Sequence, residues 1–319
     1  MPPAELRIEK SEINVDKKIA LSLSELQGRE VFELFALSNS VRMSFRGNRV
    51  DLCSIINAKS GACPEDCSFC AQSANSRANI EVYSLMNREK ILEAASSAKK
   101  FGVKRFCVVT SGKKALGIDL EKICGFISEI KNTGLLPCAT LGMLGESELK
   151  ELKSAGLHRY HHNLETSEAY FNEICTTHAY RDKIKTIETA KSLGLSVCSG
   201  GIFGLGESWQ DRIDMAFALK EIGVDSVPIN FLTPITGTPL GSREILSPTE
   251  ALKIIAIYRL ILPGLEIRVC GGRPNTLKDK NSYIFMAGAD GLLIGNYLTT
   301  PGSKPEDDLQ MIKDMGMEI

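Results

Sequence analysis

The sequence contains no long hydrophobic run, no excess of positive charge and no export signal. No stretch approaches the roughly 18–20 consecutive apolar residues that cross a bilayer, and the first residues, MPPAELRIEKSEINVDKK, lack the apolar core of a secretory signal. The formal net charge is −1, from 38 basic and 39 acidic residues, whereas binding to a phosphate backbone or an anionic membrane normally needs clustered positive charge. We therefore expect a cytoplasmic protein that binds neither nucleic acid nor membranes.

Ten cysteines contrast with these absences. Without an export signal thiols are kept reduced, so metal or redox chemistry explains the cysteines better than disulfides do. Three of them, Cys63, Cys67 and Cys70, lie in the stretch SGACPEDCSFCAQS, residues 60–73. A structural zinc site commonly needs a second cysteine pair, and the sequence has no second Cys-x-x-Cys. Three thiolates can instead hold three irons of a cubane cluster and leave the fourth iron open for a substrate.

No Ser/Pro-rich linker divides the chain, and no glycine-rich phosphate turn follows its first β-rich run. Eight such runs, beginning near residues 50, 104, 136, 157, 195, 224, 265 and 290, alternate with amphipathic stretches. This pattern predicts an α/β fold, a single (β/α)8 TIM-type barrel over residues 50–319, with its chemistry at the C-terminal ends of the strands. An open doubly wound sheet, the main alternative, usually carries the missing glycine-rich turn. Residues 1–49 are predicted to form an N-terminal helical cap at the lower end of the barrel.

Three further cysteines, Cys107, Cys138 and Cys198, lie within the second, third and fifth β-rich runs, and Arg268 lies within the seventh. Every second side chain of a barrel strand points into the lumen. Any one of these cysteines fits as a small core residue, but an arginine buried among three thiols needs an anionic partner, which a thiolate-ligated cluster supplies. The pattern therefore favours a luminal cluster site. Core packing is the interpretation for Cys53 and Cys124, whereas Cys175 has no assigned role.

A three-cysteine loop after the first strand of a barrel resembles that of the radical S-adenosylmethionine (SAM) superfamily. Over nearly the whole length, the chain resembles the biotin synthase family in the stretches SGACPEDCSFCAQS, RFCVV, YHHNLETS, VCSGGIFGLGES, SVPINFLTPITGTPL and IRVCGGR. The resemblance implies that Cys63, Cys67 and Cys70 bind a 4Fe-4S cluster, whose open iron chelates SAM and whose reduction releases a 5′-deoxyadenosyl radical. It also implies that Cys107, Cys138, Cys198 and Arg268 hold an auxiliary 2Fe-2S cluster, which donates the sulfur that converts dethiobiotin to biotin.

The resemblance also assigns polar residues to the two substrates. For SAM it implies Glu165, Lys183, and the glycines Gly200 and Gly201. Lys183 stands where the family usually carries an arginine, so it keeps the charge but loses the bidentate fork. For dethiobiotin it implies Asn163 and Asn230, whose neutral amides suit a neutral urea, with His161 as a residue that lines the substrate site.

Cys270 departs from the usual family pattern, in which a small residue such as serine stands two positions after the strand-seven arginine. Two residues along a strand return to the same face, so we expect Cys270 in the lumen, about 6–7 Å from Arg268 toward the C-terminal end. A fourth thiolate there could replace the arginine and hold a larger, four-iron auxiliary cluster. The alternatives that remain are an arginine-ligated two-iron cluster, an all-cysteine cluster, and Cys270 as a simple core residue. The family resemblance favours the arginine-ligated two-iron cluster.

Two other functions compete with sulfur insertion. One is a radical SAM enzyme of the hydrogenase-maturase or mutase type, which shares the loop and barrel but needs no cluster ligands on its strands. The other is a non-catalytic iron–sulfur carrier, although carriers generally close every cluster position with a protein ligand. The family resemblance further implies a homodimer and a flavodoxin- or ferredoxin-type electron donor.

Overall fold

The computed structural model describes residues 14–319, and its β-strands alternate with helices from residue 51 onward. The strands are β1 (Asp51–Lys59), β2 (Arg105–Thr110), β3 (Leu136–Thr140), β4 (Arg159–His161), β5 (Ser196–Cys198), β6 (Gly201–Phe203), β7 (Ser226–Phe231), β8 (Glu266–Val269) and β9 (Gly291–Leu293). The helices are α1 (Lys17–Ser24), α2 (Arg29–Arg46), α3 (Arg88–Lys100), α4 (Gly117–Asn132), α5 (Glu146–Ser154), α6 (Phe171–Ile174), α7 (Tyr180–Ser192), α8 (Trp209–Ile222), α9 (Pro248–Ile261), α10 (Arg273–Leu277), α11 (Tyr283–Met286) and α12 (Pro305–Asp314). A short 3-10 turn, Lys278–Lys280, follows α10.

The sheet is parallel throughout and closes on itself. β1 pairs with β2 on one side and with β9 on the other, so the first and last strands are neighbours. The remaining pairings follow chain order, and β7 pairs with both β5 and β6. The predicted eight-stranded TIM-type barrel is therefore confirmed, because β5 and β6 are two parts of one barrel strand.

The fifth barrel strand is interrupted at Ser199 and Gly200. A Cβ atom on Gly200 would lie 2.1 Å from the carbonyl oxygen of Pro228, and one on Gly201 would lie 2.4 Å from that of Glu165. Any larger residue at either position would therefore collide with neighbouring backbone. These two glycines allow the broken strand to keep contact with β7 on one side and with the segment after β4 on the other.

The N-terminal helices lie against the outer helices of the barrel. α1 packs on α8 and α9, whereas α2 packs on α9 and α11. At the C-terminal end of α2, Arg46 pairs with Asp290, just before β9. Residues 1–13 of the predicted cap lie outside the described residues, and the division of the chain at residue 49 stays a prediction. Within residues 14–319, no helix combines the length and the apolar character needed to cross a membrane.

A buried ion pair joins α9 to the start of β9. The Arg259 side chain is fully buried, and its guanidinium bonds to the carboxylate of Asp290 and to the carbonyl oxygen of Gly288. It also donates to the carbonyl oxygens of Pro263 and Leu265, at 3.0 and 2.7 Å. One side chain therefore satisfies the polar groups where a helix, a loop and a strand meet.

We expect Arg259→Met to lower the free energy of unfolding by about 3 kcal/mol or more, because it leaves Asp290 and several carbonyl groups short of partners in the interior. The matched control is Arg49→Met, because Arg49 and Glu318 are 3.9 Å apart and about 70% exposed. Such a pair contributes under about 1 kcal/mol. Denaturant titration measures both, and equal losses would contradict this role for Arg259.

A candidate active site in the barrel lumen

One cavity of about 340 Å³ occupies the lumen and opens at the C-terminal ends of the strands. This volume lies in the range of small-molecule sites. Its walls follow the two-residue period of a strand, because alternate residues of β1, β2, β4 and β8 face it. The three-cysteine loop contributes Cys70 near the opening. The cavity therefore connects the three-cysteine loop with the cysteines of the barrel strands.

Besides Cys70, five thiols of the barrel wall line the cavity: Cys53, Cys107, Cys138, Cys198 and Cys270. The structure thus brings together the three predicted strand cysteines, and Cys270 faces the lumen as expected. Cys107 and Cys138 are direct neighbours in the register of β2 and β3. Cys53, interpreted from sequence as core packing, is a fifth luminal thiol. Thiolates are ligands for iron–sulfur clusters, so this cysteine group fits an auxiliary cluster.

Below the thiols, charged side chains form the floor of the barrel. Glu266 bonds to Arg159 at 3.1 Å and pairs with Arg268, and its carboxylate lies 3.9 Å from Arg105. Asp51 pairs with both Arg105 and Arg268. Burial alone would raise the pKa of Glu266, but Arg268, Arg159 and Arg105 hold that pKa far below its usual range. Three guanidiniums against two carboxylates leave the floor with one excess positive charge.

The Arg268 guanidinium is hydrogen-bonded at this floor through both of its terminal nitrogens. One terminal nitrogen donates to the carbonyl oxygens of Asp51 and Leu292, at 3.0 and 3.3 Å. The other donates to the carboxylates of Asp51 and Glu266. Burial opposes the charge on Arg268, yet the surrounding thiols and carboxylates raise its pKa well above the usual value. The guanidinium is therefore held as a cation, with both terminal nitrogens already used.

The luminal thiols are protonated at neutral pH in the metal-free chain. Burial raises the pKa of Cys53 to about 11 and the pKa of Cys138 to about 12. Burial also raises the pKa values of Cys107 and Cys270 well above that of a free thiol. Because thiolates are the ligands, binding of metal here must release these protons.

Between the floor and the opening, the predicted substrate residues face the cavity together. The Asn163 side chain accepts from the Gly200 amide and donates to Glu165, both at 3.2 Å. The Asn230 side chain donates to the Gly201 carbonyl oxygen at 3.1 Å and accepts from the Gly271 amide at 3.0 Å. Each side-chain amide has four hydrogen-bonding positions, so these contacts fix its orientation and leave positions for a ligand.

His161 lines the same wall and is neutral at neutral pH. Burial lowers its pKa to about 4, against a partial opposing effect of Glu165. Glu165 itself has a φ of +75°, a left-handed conformation that non-glycine residues rarely adopt and that clusters at functional sites. Both residues therefore line the same wall of the cavity, and the substrate and SAM contacts that the family resemblance implies for them stay predictions.

The other residues assigned to SAM do not line the cavity. Gly200 and Gly201 face neighbouring backbone, so close packing within the barrel is what requires glycine at both positions. Lys183 is buried on α7, and its ammonium lies 5.9 Å from the ring centroid of Phe171. Within residues 14–319 it has no hydrogen-bond acceptor and no ion-pair partner. A buried ammonium of this kind suits an anionic ligand.

The three-cysteine loop folds back on itself. The Cys63 amide donates to the Gln72 carbonyl oxygen at 3.0 Å. The Ala74 amide donates to the Cys63 carbonyl oxygen at 2.7 Å, and the Cys70 amide donates to the Cys67 carbonyl oxygen at 2.9 Å. The thiol of Cys70 is close enough to that of Cys63 for their charges to interact, which helps to raise the pKa of Cys70 after the larger effect of burial. Three thiols on one compact loop fit a cluster with one open iron.

Sequence reasoning missed the charged floor and the luminal position of Cys53. Both could have been predicted from the two-residue alternation of a strand. Asp51 precedes Cys53 by two residues and Arg105 precedes Cys107 by two, so each pair shares one face. Sequence reasoning also missed Cys175, whose sulfur lies 3.8 Å from that of Cys67. The two residues are 108 positions apart, so no local pattern could join them.

We expect His161→Asn to reduce the loss of stability of the cluster-free protein in acid. Because burial lowers the pKa of His161 from its ordinary value near 6.5 to about 4, the unfolded chain takes up this proton first as the pH falls. Its contribution is present above pH 6.5 and is lost toward pH 4, by roughly 3 kcal/mol in total. Denaturant titrations at pH 7 and pH 4.5 measure it, and parallel losses in both proteins would refute the assignment.

Two family profiles and several solved structures match this chain. The profile of the radical SAM superfamily matches residues 58–219, and that of the biotin and thiamin synthesis associated domain matches residues 228–318. Among solved structures, the fold is similar to methylornithine synthase, with a TM-score of 0.84, 21% identity, and coverage of 96% of this chain and 94% of that one. It is also similar to a maturase of the [FeFe]-hydrogenase, with a TM-score of 0.81, 16% identity, and coverage of 95% and 71%. At these identities the likeness concerns the fold alone.

Sequence relatives are much closer. The chain is 52% identical to the biotin synthase of Thermodesulfovibrio yellowstonii over 93% of its own length and 94% of that protein. It is 49% identical to the biotin synthase of Pelotomaculum thermopropionicum over 97% of each chain. Identity of this extent covers the loop, the barrel strands and the C-terminal segment together. The chain therefore belongs to the biotin synthase family of the radical SAM superfamily.

Proposed function

We propose that this protein is a biotin synthase, which inserts sulfur into dethiobiotin by radical SAM chemistry. The observation that carries the proposal is one shared cavity, lined near its opening by Cys70 and deeper by five thiols, with Asn163 and Asn230 on the wall. A radical generator and a sulfur source must both reach one substrate, and one shared cavity provides this. The maturase or mutase alternative accounts for neither the strand thiols nor the sequence relatives.

Cys63, Cys67 and Cys70 are the proposed ligands of the 4Fe-4S cluster. When bound, this cluster supplies the electron that cleaves SAM, and the auxiliary cluster supplies the sulfur. Lys183 is the proposed partner of the SAM carboxylate, because it is a buried cation close enough to Cys67 to lower the pKa of that thiol against the larger opposing effects of Cys175 and burial. Glu165, on the cavity wall, is the proposed contact for the SAM ribose.

Asn163 and Asn230 are the proposed contacts for the ureido ring of dethiobiotin. Their backbone hydrogen bonds hold each amide in one orientation before a ligand arrives, which reduces the entropy lost on binding. His161 is neutral beside them, so it presents a hydrogen-bonding group to the substrate without a charge. All three are side chains of a site that binds a neutral polar ring next to apolar walls.

The luminal thiols, rather than Arg268, are the proposed ligands of the auxiliary cluster. Both terminal nitrogens of Arg268 already bond to Asp51, Glu266 and Leu292, and a protonated guanidinium has no lone pair to offer a metal. Cys107, Cys138, Cys198 and Cys270 then form an all-cysteine set, with Cys53 as a fifth thiol in reach. The excess positive charge of the floor stabilises the anionic thiolates above it.

A cytoplasmic location, a homodimer and a flavodoxin- or ferredoxin-type electron donor remain predictions from the sequence and the family. The donor must reach the 4Fe-4S cluster, and the half-buried loop that carries Cys63, Cys67 and Cys70 is where we expect it to dock.

Reductive SAM cleavage and biotin formation test the two cluster assignments separately. We expect Cys63→Ala to abolish both activities, since two thiolates cannot hold the cluster in place. Cys138→Ala should retain SAM cleavage and lose biotin formation, because only the sulfur source is removed. Cys124→Ser, at a partly exposed position on α4, is the control and should retain both. Equal loss of both activities in folded Cys138→Ala would refute the separate roles.

Iron content distinguishes the two auxiliary ligand sets. We expect about eight irons per chain in anaerobically purified protein, whereas an arginine-ligated two-iron cluster would give about six. Cys270→Ser should lower the iron content and change the Mössbauer spectrum of the auxiliary cluster, with Cys124→Ser again as the control. A Cys270→Ser protein that keeps its full iron content and spectrum would eliminate Cys270 as a ligand.

A further inference from the structure

Beside the three-cysteine loop, a second group of ligand atoms lies outside the large cavity. Cys67 on the loop, with Cys175 and His178 from the segment before α7, brings together two sulfurs and one imidazole, all within 4.8 Å of one another. None of the three residues lines the cavity. The proposed roles of the loop and the lumen account for neither Cys175 nor His178.

The distances within this group fit one tetrahedral metal ion. The sulfurs of Cys67 and Cys175 are 3.8 Å apart. The Cys175 sulfur is 3.3 Å from Nδ1 and 3.8 Å from Nε2 of His178. Two thiolates bound to one tetrahedral zinc at about 2.3 Å lie about 3.8 Å from each other. Thiolates bound to different irons of a cubane cluster are farther apart, so Cys175 is badly placed to occupy the fourth corner of the cluster.

The His178 ring is held as a metal ligand usually is. Its Nδ1 atom contacts the Glu65 carboxylate, and the ring is only 4% exposed. If Nδ1–H donates to Glu65, Nε2 keeps its lone pair for a metal ion, as in the carboxylate–histidine–metal arrangement. Glu65 is fixed in turn by the Thr177 hydroxyl at 2.7 Å and by Lys113 at 3.5 Å.

The two segments that supply the ligands are joined by other hydrogen bonds. Asp66 accepts from the backbone amides of Thr176 and Thr177, at 2.9 and 3.2 Å, and from the Thr177 hydroxyl at 3.0 Å. The Ser68 amide donates to the carbonyl oxygen of Ile174 at 2.8 Å. The ligand atoms are therefore close together before any metal binds, so little chain ordering opposes binding.

We propose that the cluster-free protein binds one divalent cation of the zinc type through Cys67, Cys175 and His178. Two thiolates and one imidazole suit a borderline-soft ion, and a water molecule or the Asp66 carboxylate, 3.2 Å from the Cys175 sulfur, can complete the tetrahedron. Because Cys67 is also a ligand of the 4Fe-4S cluster in the proposed function, the ion and the cluster exclude each other. The cation site itself does not depend on that function.

Crystals of the cluster-free protein soaked with Zn²⁺ test the site directly. We expect an anomalous peak at the zinc edge about 2.3 Å from the sulfurs of Cys67 and Cys175 and about 2.0 Å from Nε2 of His178. The peak should be absent in His178→Ala, and in His178→Gln if the alanine variant does not fold. Zinc found only on Cys63, Cys67 and Cys70 together, or only on the luminal thiols, would overturn the proposal.

Zinc titration against a chromophoric chelator gives the affinity in solution. We expect Cys175→Ser and His178→Gln to remove one tight equivalent per chain, and Glu65→Gln to weaken it about 10–100-fold. Cys124→Ser is the matched control and should bind as the unaltered protein does. Unchanged stoichiometry and affinity in both ligand variants would also overturn the proposal.

Cluster reconstitution tests the shared use of Cys67. One equivalent of Zn²⁺ added beforehand should slow the appearance of the visible cluster absorbance in the unaltered protein but not in His178→Gln. If the zinc peak is present and reconstitution proceeds equally fast in both proteins, the cation site stands and the assignment of Cys67 to the cluster is wrong. The two failures are therefore distinguishable.

Discussion

The buried carboxylate of Glu266, set among Arg105, Arg159 and Arg268, is the interaction on which the lumen depends. An unpaired arginine at this depth would cost several kcal/mol, and removal of Glu266 would leave three cations with Asp51 as their one remaining carboxylate in this network. The same network joins the starts of β1, β2, β4 and β8, so it fixes the barrel wall as well as its charge. It also holds the Arg268 guanidinium at the floor, so the thiols line the space between the floor and the opening. The chemistry of the cavity thus begins with the electrostatics beneath it.

The barrel could be predicted from the sequence because each of its units is local. Eight β-rich runs, each followed by a helical stretch, dictate a parallel sheet with crossovers, and the closure of β1 on β9 follows from the number of strands. The break in the fifth strand is harder to predict from the sequence, because VCSGGIF is a continuous β-rich run. Gly200 and Gly201 reveal the break only when Pro228 and Glu165 are seen against them.

The candidate site could be predicted only in part, because alternation along a strand gives the face of a residue and not its neighbours across the lumen. His161, Asn163 and Glu165 follow each other at steps of two, and the structure places all three on the cavity wall. The network of Asp51, Arg105 and Glu266 spans strands far apart in sequence, so no single run displays it. Cys175 and Cys67 lie on two different loops. The contact between their sulfurs depends on the tertiary packing of these loops.

The charged floor also sets the direction from which molecules enter. Because the strand starts are sealed by ion pairs, a molecule bound beside the luminal thiols must pass the opening where Cys70 lies. If SAM bound beside the three-cysteine loop fills that opening, it blocks the way in for dethiobiotin and the way out for biotin. Dethiobiotin then binds before SAM, and each departure of spent SAM fragments reopens this path to the interior.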